Sequence, residues 1–441
     1  MMAVSLPDLP KGKEFEEYVS AFFQSGGNYI ERNIIEKESK GKEVLELDII
    51  ATDYSLRLPE IKLLEVKSGD WGFPDVFKVR GWMDYLNIDN GIIIASNGKE
   101  DVDFYKEVAK RLNIDLVVIP NLSESKKVLS ELINNTNIEN VDISTWRYSY
   151  WVERKLLKRL SQKKHSHPDK KRFKVLSDYH FEVNSGIFFT ENIIQKVHTL
   201  YTTFQKFPRI SAKCGNELIG NTFDNEYDGL PMEIYDDTYY KCSYNDIQIS
   251  TFIEHRARLA ILKNAIDYML YKDAGDLSKT ENTYEKILGF DISSLDLLPT
   301  SFKEGLNKIS KHKYFHKYPV FWQWFMWIFG GFILKDYEDK EYEVLSSRKT
   351  GIPIEEIPNA LEAYQILFPR DDGWFIDLSP NSNIKMMKMF PVPFMGIGAF
   401  YRKLIYTRSR KLEHLNLSGI YTLHDLIKWY NLTKKVLQHK N

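Results

Sequence analysis

The chain is 441 residues long, enough for two or three domains, and its 43% apolar and 27% charged content excludes a disordered chain. A net charge of −1 excludes a polycation, so any nucleic-acid surface must be a local basic patch. The two cysteines, Cys214 and Cys242, fit no zinc spacing, and the first residues lack an apolar signal core; together these predict a reducing, cytoplasmic setting.

The first ~135 residues alternate regularly. "GKEFEEYVSAFFQSGG" reads as a helix, with Phe15, Val19, Phe22 and Phe23 at helical spacing and Gly26-Gly27 as its stop. "NYIERNIIEK" and "KEVLELDIIATD" read as strands, "SLRLPE" as a turn, and "IKLLEVKSG" as the returning strand. "PDVFKVRGWMDYL" opens with proline at a helix start and puts Val76, Val79, Met83 and Leu86 on one face. "NGIIIASN", "KEDVDFYKEVAKRL", "DLVVIP" and "SESKKVLSELINN" follow as strand, helix, strand and helix. The order α-β-β-β-α-β-α-β-α predicts an α/β mixed sheet with helices on both faces.

The strand "IKLLEVKSG" raises a question, because it places Glu65 and Lys67 inside an apolar run. Side chains alternate faces along a strand, so Glu65 and Lys67 point one way and Leu64 and Val66 the other. In "ELDII", the same rule puts Asp48 on a face with Glu46 and Ile50, and turns Leu47 and Ile49 to the core. A hairpin about residues 54–60 then brings Asp48 close to opposite Glu65. Two carboxylates and one ammonium converge. Neighbouring buried carboxylates repel unless neutralised, and a divalent cation with oxygen preference does this well.

These residues resemble the PD-(D/E)xK nuclease superfamily, the restriction-endonuclease-like fold. Asp48 takes the place of the first motif acid, and Glu65-Val66-Lys67 matches the (D/E)xK element. "GKEFEEYVSAFF" and "ELDIIA" resemble Mrr-type and Holliday-resolvase-like members, with Glu16 matching a glutamate of the first helix. Leu47 stands where the literal motif has proline. The resemblance covers about 120 residues. It implies a metal-dependent endonuclease in which Asp48, Glu65 and the Val66 carbonyl bind Mg2+ or Mn2+. Lys67 would orient or help deprotonate the attacking water and stabilise the developing charge, and Glu16 would position a metal-bound water or join a second metal. Lys78 or Arg80 would contact a substrate phosphate. DNA is the expected substrate, with RNA open, and the resemblance implies a homodimer for cutting two strands or a defence-system partner protein, with no membrane. The alternative is a catalytically inactive subunit that only binds nucleic acid or assembles with other proteins.

"NNTNIENVDIS" is polar and turn-rich, and it predicts a boundary. Residues 1–138 are expected to form the nuclease-like domain, 139–178 a basic, aromatic helix and linker, and 179–441 a mainly helical or α+β region for recognition, sensing or partner binding. From Arg147 to Lys174, eleven lysines and arginines face two acids, with Trp146, Tyr148, Tyr150 and Trp151 nearby. Arg154 and Lys158 are the candidate phosphate contacts there, on a surface where basic groups neutralise phosphates and aromatics stack on bases. The competing reading is a helix that buries its aromatics, followed by "SQKKHSHPDKKRFK" as a solvated basic linker.

Further along, His165, His167 and His180 lack acidic or cysteine partners at ligand spacing and are expected in solvent. "DNEYDG" copies the start of an EF-hand loop but has Tyr235 where the bidentate glutamate belongs. "TFIEHRARLAILKNAIDYMLYKD" is a strong helical pattern, with Glu254, His255, Arg256 and Arg258 as surface or inter-helix charges, and "LHDLIKWYNLTKKVL" reads as a last helix. "PVFWQWFMWIFGGFIL" has sixteen uncharged residues, short of the ~20 a membrane span needs, and is expected as a buried helix or hairpin. No Walker loop or dinucleotide fingerprint is present. A nuclease joined to a long second region is the layout of an effector with a sensor, as in prokaryotic restriction and anti-phage defence. One such arrangement is the nuclease-APAZ partner of a short Argonaute.

Overall fold

The computed structural model describes residues 11–119, 121–134, 138–166, 170–189, 246–275, 300–325, 332–334, 347–367, 375–377 and 384–387. The chain divides into two compact units: Met1–Arg147 with Asn184–Phe189, and Tyr148–Val183 with Thr190–Asn441.

The first unit holds α1 (Lys13–Ser25), β1 (Asn28–Lys37), β2 (Glu43–Asp53), β3 (Glu60–Lys67), α2 (Phe73–Leu86), β4 (Asn90–Ala95), α3 (Val102–Arg111), β5 (Ile114–Val118) and α4 (Leu122–Ser130). The strands form one mixed sheet in the order β1-β2-β3-β4-β5. β1–β2 and β2–β3 pair antiparallel, and β3–β4 and β4–β5 pair parallel. This is the predicted succession, and its antiparallel half closes through a hairpin pairing Asp53 with Glu60.

Helices cover both faces. In α1, Phe15, Val19, Phe22 and Phe23 are fully buried against the β1–β3 half of the sheet, and Tyr18 Oη and Ser125 Oγ, 2.6 Å apart, tie α4 to α1. On the other face, Val76, Val79 and Met83 of α2 and Ala109 of α3 join Ile50, Leu63 and Ile93 in one core cluster, with Leu86 partly buried against it. Beyond Asn90, β4 is apolar and buried, as a central parallel strand must be.

Strict alternation fails at one place in β2. Leu47 and Ile50 join the same core cluster, so the faces do not simply alternate through Asp48. The β1–β2 register skips the step between Arg32–Ile49 and Ile34–Leu47, where Asn33 of β1 takes a left-handed φ of 49°. Asn33's turned backbone shifts the local pleat, which pairing by period alone does not capture.

β1 is an edge strand, and a later segment covers it. Asn184 Nδ2 donates to the carbonyls of Arg32 and Asn33 at 3.3 and 3.2 Å, and the Ile35 N–H donates to Ser185 Oγ at 3.1 Å. Side chains thus occupy backbone groups that an open edge would leave unpaired. Phe188 and Phe189 pack on the core cluster from the same segment. This return of the chain is why the first unit includes residues beyond the polar boundary.

In the second unit, the basic stretch is helical where a linker was expected. α5 starts at Asn140 in the first unit and continues from Tyr148 to Ser166 in the second, and α6 runs from Lys170 to Phe181. The physical reason is that Leu160, Phe173 and Leu176 are buried, so the lysines between them ride on helices with an apolar seam. α6 packs on α7 (Asp246–Ala274), which also contacts the helix Tyr318–Gln323. Phe321, Trp322, Trp324 and Phe325 are fully buried, so the described part of the aromatic run forms core. Three short strands, Phe332–Leu334, Ile384–Met387 and Phe375–Asp377, make a small antiparallel sheet. Among the described residues, no helix is long and apolar enough to cross a membrane. The EF-hand-like loop, His167 and the last sequence-predicted helix lie outside the described residues.

Candidate functional site

The site forms where β2 and β3 part. Their ladder ends at the pair Ile49–Leu64, while β3 goes on pairing with β4 through Glu65, Val66 and Lys67. The next donor on the β2 side, the Val66 N–H, is satisfied by a side chain: it donates to Asp48 Oδ2 at 2.9 Å. The Ser96 N–H donates to the Lys67 carbonyl, so Lys67 turns its backbone to β4, and Val66 turns both its N–H and its carbonyl into the gap beside Asp48. Asp48 therefore lies beside Val66 on the side of β3 that faces away from β4.

Glu65 is buried, 2% exposed, on the strand that flanks this gap. Its Oε1 accepts from Lys67 Nζ at 2.7 Å and from Lys78 Nζ at 2.6 Å, while its Oε2 is buried with no hydrogen-bond partner. Lys67 has a second anchor in Asp75 Oδ1 at 3.2 Å, and Asp75 Oδ2 accepts from the Gly72 N–H at 2.9 Å. The α2 helix thus presents Asp75 and Lys78 towards the site, while Trp82 packs against the core cluster. The Lys78 ammonium lies 4.2 Å from the Trp82 ring centre.

These neighbours shift the titrations. Burial, then the charge of Glu65, pushes Asp48 up to about 8, against the Val66 hydrogen bond. Burial would pull Lys67 down, but the hydrogen bonds and charges of Glu65 and Asp75 outweigh it and hold the ammonium above its ordinary value. Burial also raises Glu16; Lys13 and Arg32 oppose this, while Glu46 and Glu65 add to it. The field of Glu65 thus reaches Glu16, whose helix begins with the Gly12 N–H bonded to Ser68 Oγ at 2.7 Å, one residue beyond Lys67.

The structure thus brings Asp48, Glu65, Val66, Lys67 and Lys78 together, and Glu16 is linked to them through the charges of Asp48 and Glu65 alone. Arg80 is elsewhere: its guanidinium binds Asp84 on its own helix and donates to the Leu112 carbonyl at 3.2 Å. Arg154 and Lys158 belong to the second unit, where Lys158 is exposed. Trp146 and Tyr150 are buried, so α5 hides these aromatics instead of offering them for stacking. His180, expected in solvent, has its Nε2 buried without a hydrogen-bond partner, with its ring stacked on Phe252 at 5.9 Å. The sequence reading missed Asp75. Its signal was available: Asp75 and Lys78 lie three residues apart on one helical face.

The donor set suits a hard divalent cation. It offers two carboxylates and a carbonyl, one carboxylate oxygen is buried and unpartnered, and the rise that burial and Glu65 impose on Asp48 is one that a cation's charge would oppose. Among the described residues, no group of three or more His, Cys, Asp or Glu side chains gathers as a metal site. Compared with known proteins, the chain matches no family model, no curated protein and no solved structure.

Proposed function

We propose that the first unit is a divalent-cation-dependent nuclease of the PD-(D/E)xK type, with a restriction-endonuclease-like fold and DNA as its first substrate. The observation that carries this reading is the Asp48 carboxylate bound to the Val66 N–H at the parting of β2 and β3, beside Glu65 with its free buried oxygen. Asp48, Glu65 and the Val66 carbonyl would hold Mg2+ or Mn2+. When bound, the cation supplies Lewis acidity: it lowers the pKa of water and polarises the scissile phosphate.

The chain's own residues do the rest. Glu65 and Asp75 keep Lys67 charged, so at neutral pH its ammonium acts as an electrostatic group and hydrogen-bond donor rather than as a base. It orients the attacking water and stabilises charge that develops on the phosphoryl oxygens. Glu16 would position a metal-bound water or join a second metal.

A second reading has one observation in its favour. Lys67 and Lys78 already balance Glu65 and Asp75, so the ion-pair network closes without a cation. That suits a subunit that binds nucleic acid without cutting it. One experiment separates the two. The full-length protein is incubated with supercoiled plasmid, single-stranded DNA and RNA, in Mg2+ or Mn2+ and in EDTA. The nuclease reading expects cation-dependent nicking that falls about a hundredfold or more in Asp48→Ala, Glu65→Ala and Lys67→Ala. Nicking that survives all three substitutions refutes the site, and binding without nicking establishes the silent subunit.

A further inference from the structure

The proposed reaction gives Lys78 no part, yet its position is specific. One buried oxygen, Glu65 Oε1, carries two ammoniums, at 2.7 Å from Lys67 and 2.6 Å from Lys78. The other oxygen of the same carboxylate has no partner. The two lysines are not equivalent. Lys67 is 23% exposed and also tethered by Asp75 at 3.2 Å, whereas Lys78 is 38% exposed and, among the described residues, pairs with no carboxylate but Glu65. Lys78 also rests its charge 4.2 Å from the Trp82 ring centre, an aromatic face that can hold a cation away from the carboxylate.

A divalent cation that takes Glu65 must compete with these ammoniums. Asp75 holds Lys67 in place, so Lys78 is the one that yields. A partly exposed ion pair is weak, and a lysine stem is flexible enough to swing its head into solvent. We propose that Lys78 is a displaceable counter-ion: it neutralises Glu65 until a divalent cation replaces it, then moves along the Trp82 face to meet a substrate phosphate. Metal and nucleic acid then bind with positive coupling through one side chain. The phosphate half of this inference rests on the nuclease reading; the displacement half does not.

The test uses the full-length protein as wild type, Lys78→Met and, as a charge control, Lys99→Met, whose lysine pairs with Asp70 instead. Circular dichroism checks that each variant folds. Mn2+ affinity is read from the free-ion electron paramagnetic resonance signal. Affinity for a labelled phosphorothioate oligonucleotide is read by anisotropy, in Ca2+ and in EDTA. Displacement expects Lys78→Met to bind Mn2+ about three- to tenfold more tightly, with Lys99→Met unchanged. It also expects the cation-induced gain in oligonucleotide affinity to vanish in Lys78→Met. Equal Mn2+ affinity in wild type and Lys78→Met, with the wild type still nicking DNA, overturns the inference and leaves the nuclease reading standing. No Mn2+ binding by either overturns both. Tighter Mn2+ binding by Lys78→Met in a protein that never nicks supports displacement and removes the nuclease.

Discussion

The Asp48 side chain fills the place of a ladder carbonyl for the Val66 N–H, and burial with the nearby Glu65 pushes its titration up to about 8. An unfolded aspartate releases its proton near 3.8, so between that pH and about 8 the folded chain binds the extra proton. Stability of the metal-free first unit therefore falls as pH rises through this window and returns as pH drops. Asp48→Asn keeps an acceptor for the Val66 N–H and removes the charge. It should raise stability at pH 8 by about 1–3 kcal/mol, lose that advantage near pH 5, and abolish cleavage. Thermal melts at the two pH values, with and without Mn2+, check this. Parallel pH profiles for wild type and variant would show that Asp48 is not a strained acid. Mn2+ should raise the wild-type melting temperature and leave the variant unmoved.

At the scale of the element, α2 serves the core with one stripe and the site with another. Its apolar positions were legible, because Val76, Val79 and Met83 follow the helical period and all three are fully buried. Its polar stripe was legible only in part, since periodicity shows that Asp75 and Lys78 share a face but not what they touch. Asp75 has two tasks: it accepts from the Gly72 N–H at the helix start and it anchors Lys67. Asp75→Ala loses both and should cost about 1 kcal/mol of stability together with about a tenfold drop in cleavage rate. Asp75→Asn keeps the amide acceptor at the helix start but loses the charge on Lys67. It should retain most of the stability and lose a similar share of the rate. Melting temperatures and single-turnover rates, measured on both variants, separate the cap from the positioning role. Wild-type rates in both would show that Lys67 does not depend on Asp75.

For the whole molecule, the two units are expected to answer pH in opposite directions. His180 in the second unit is pulled down to about 4, by burial first and then by Arg256, with Glu153 opposing. An unfolded histidine takes a proton near 6.5, so stability present above that pH is lost as pH falls towards 4. The loss amounts to about 3 kcal/mol at most. The first unit gains over the same range through Asp48. Calorimetry of the metal-free full-length protein should resolve two transitions that move apart between pH 7 and pH 5. His180→Phe should flatten the second and leave the first alone. Two transitions that shift together would show that neither residue governs its unit.

The sequence alone determined the order of elements in the first unit, the hairpin that faces β2 with β3, and the chemical identity of Asp48, Glu65 and Lys67. These are local properties: helical and strand periods, turn residues and charge in an apolar run are written over a few neighbouring positions. The tertiary structure decided the rest. It turned the basic stretch after Leu160 into helices by burying Phe173 and Leu176, and it drew Asn184 and Ser185 back onto the edge of β1. It also chose Lys78 over Arg80 as the partner of Glu65 and left Glu65 Oε2 unpaired. Which charged groups meet depends on approach between segments far apart in the chain, and no period along a single strand or helix carries that distance.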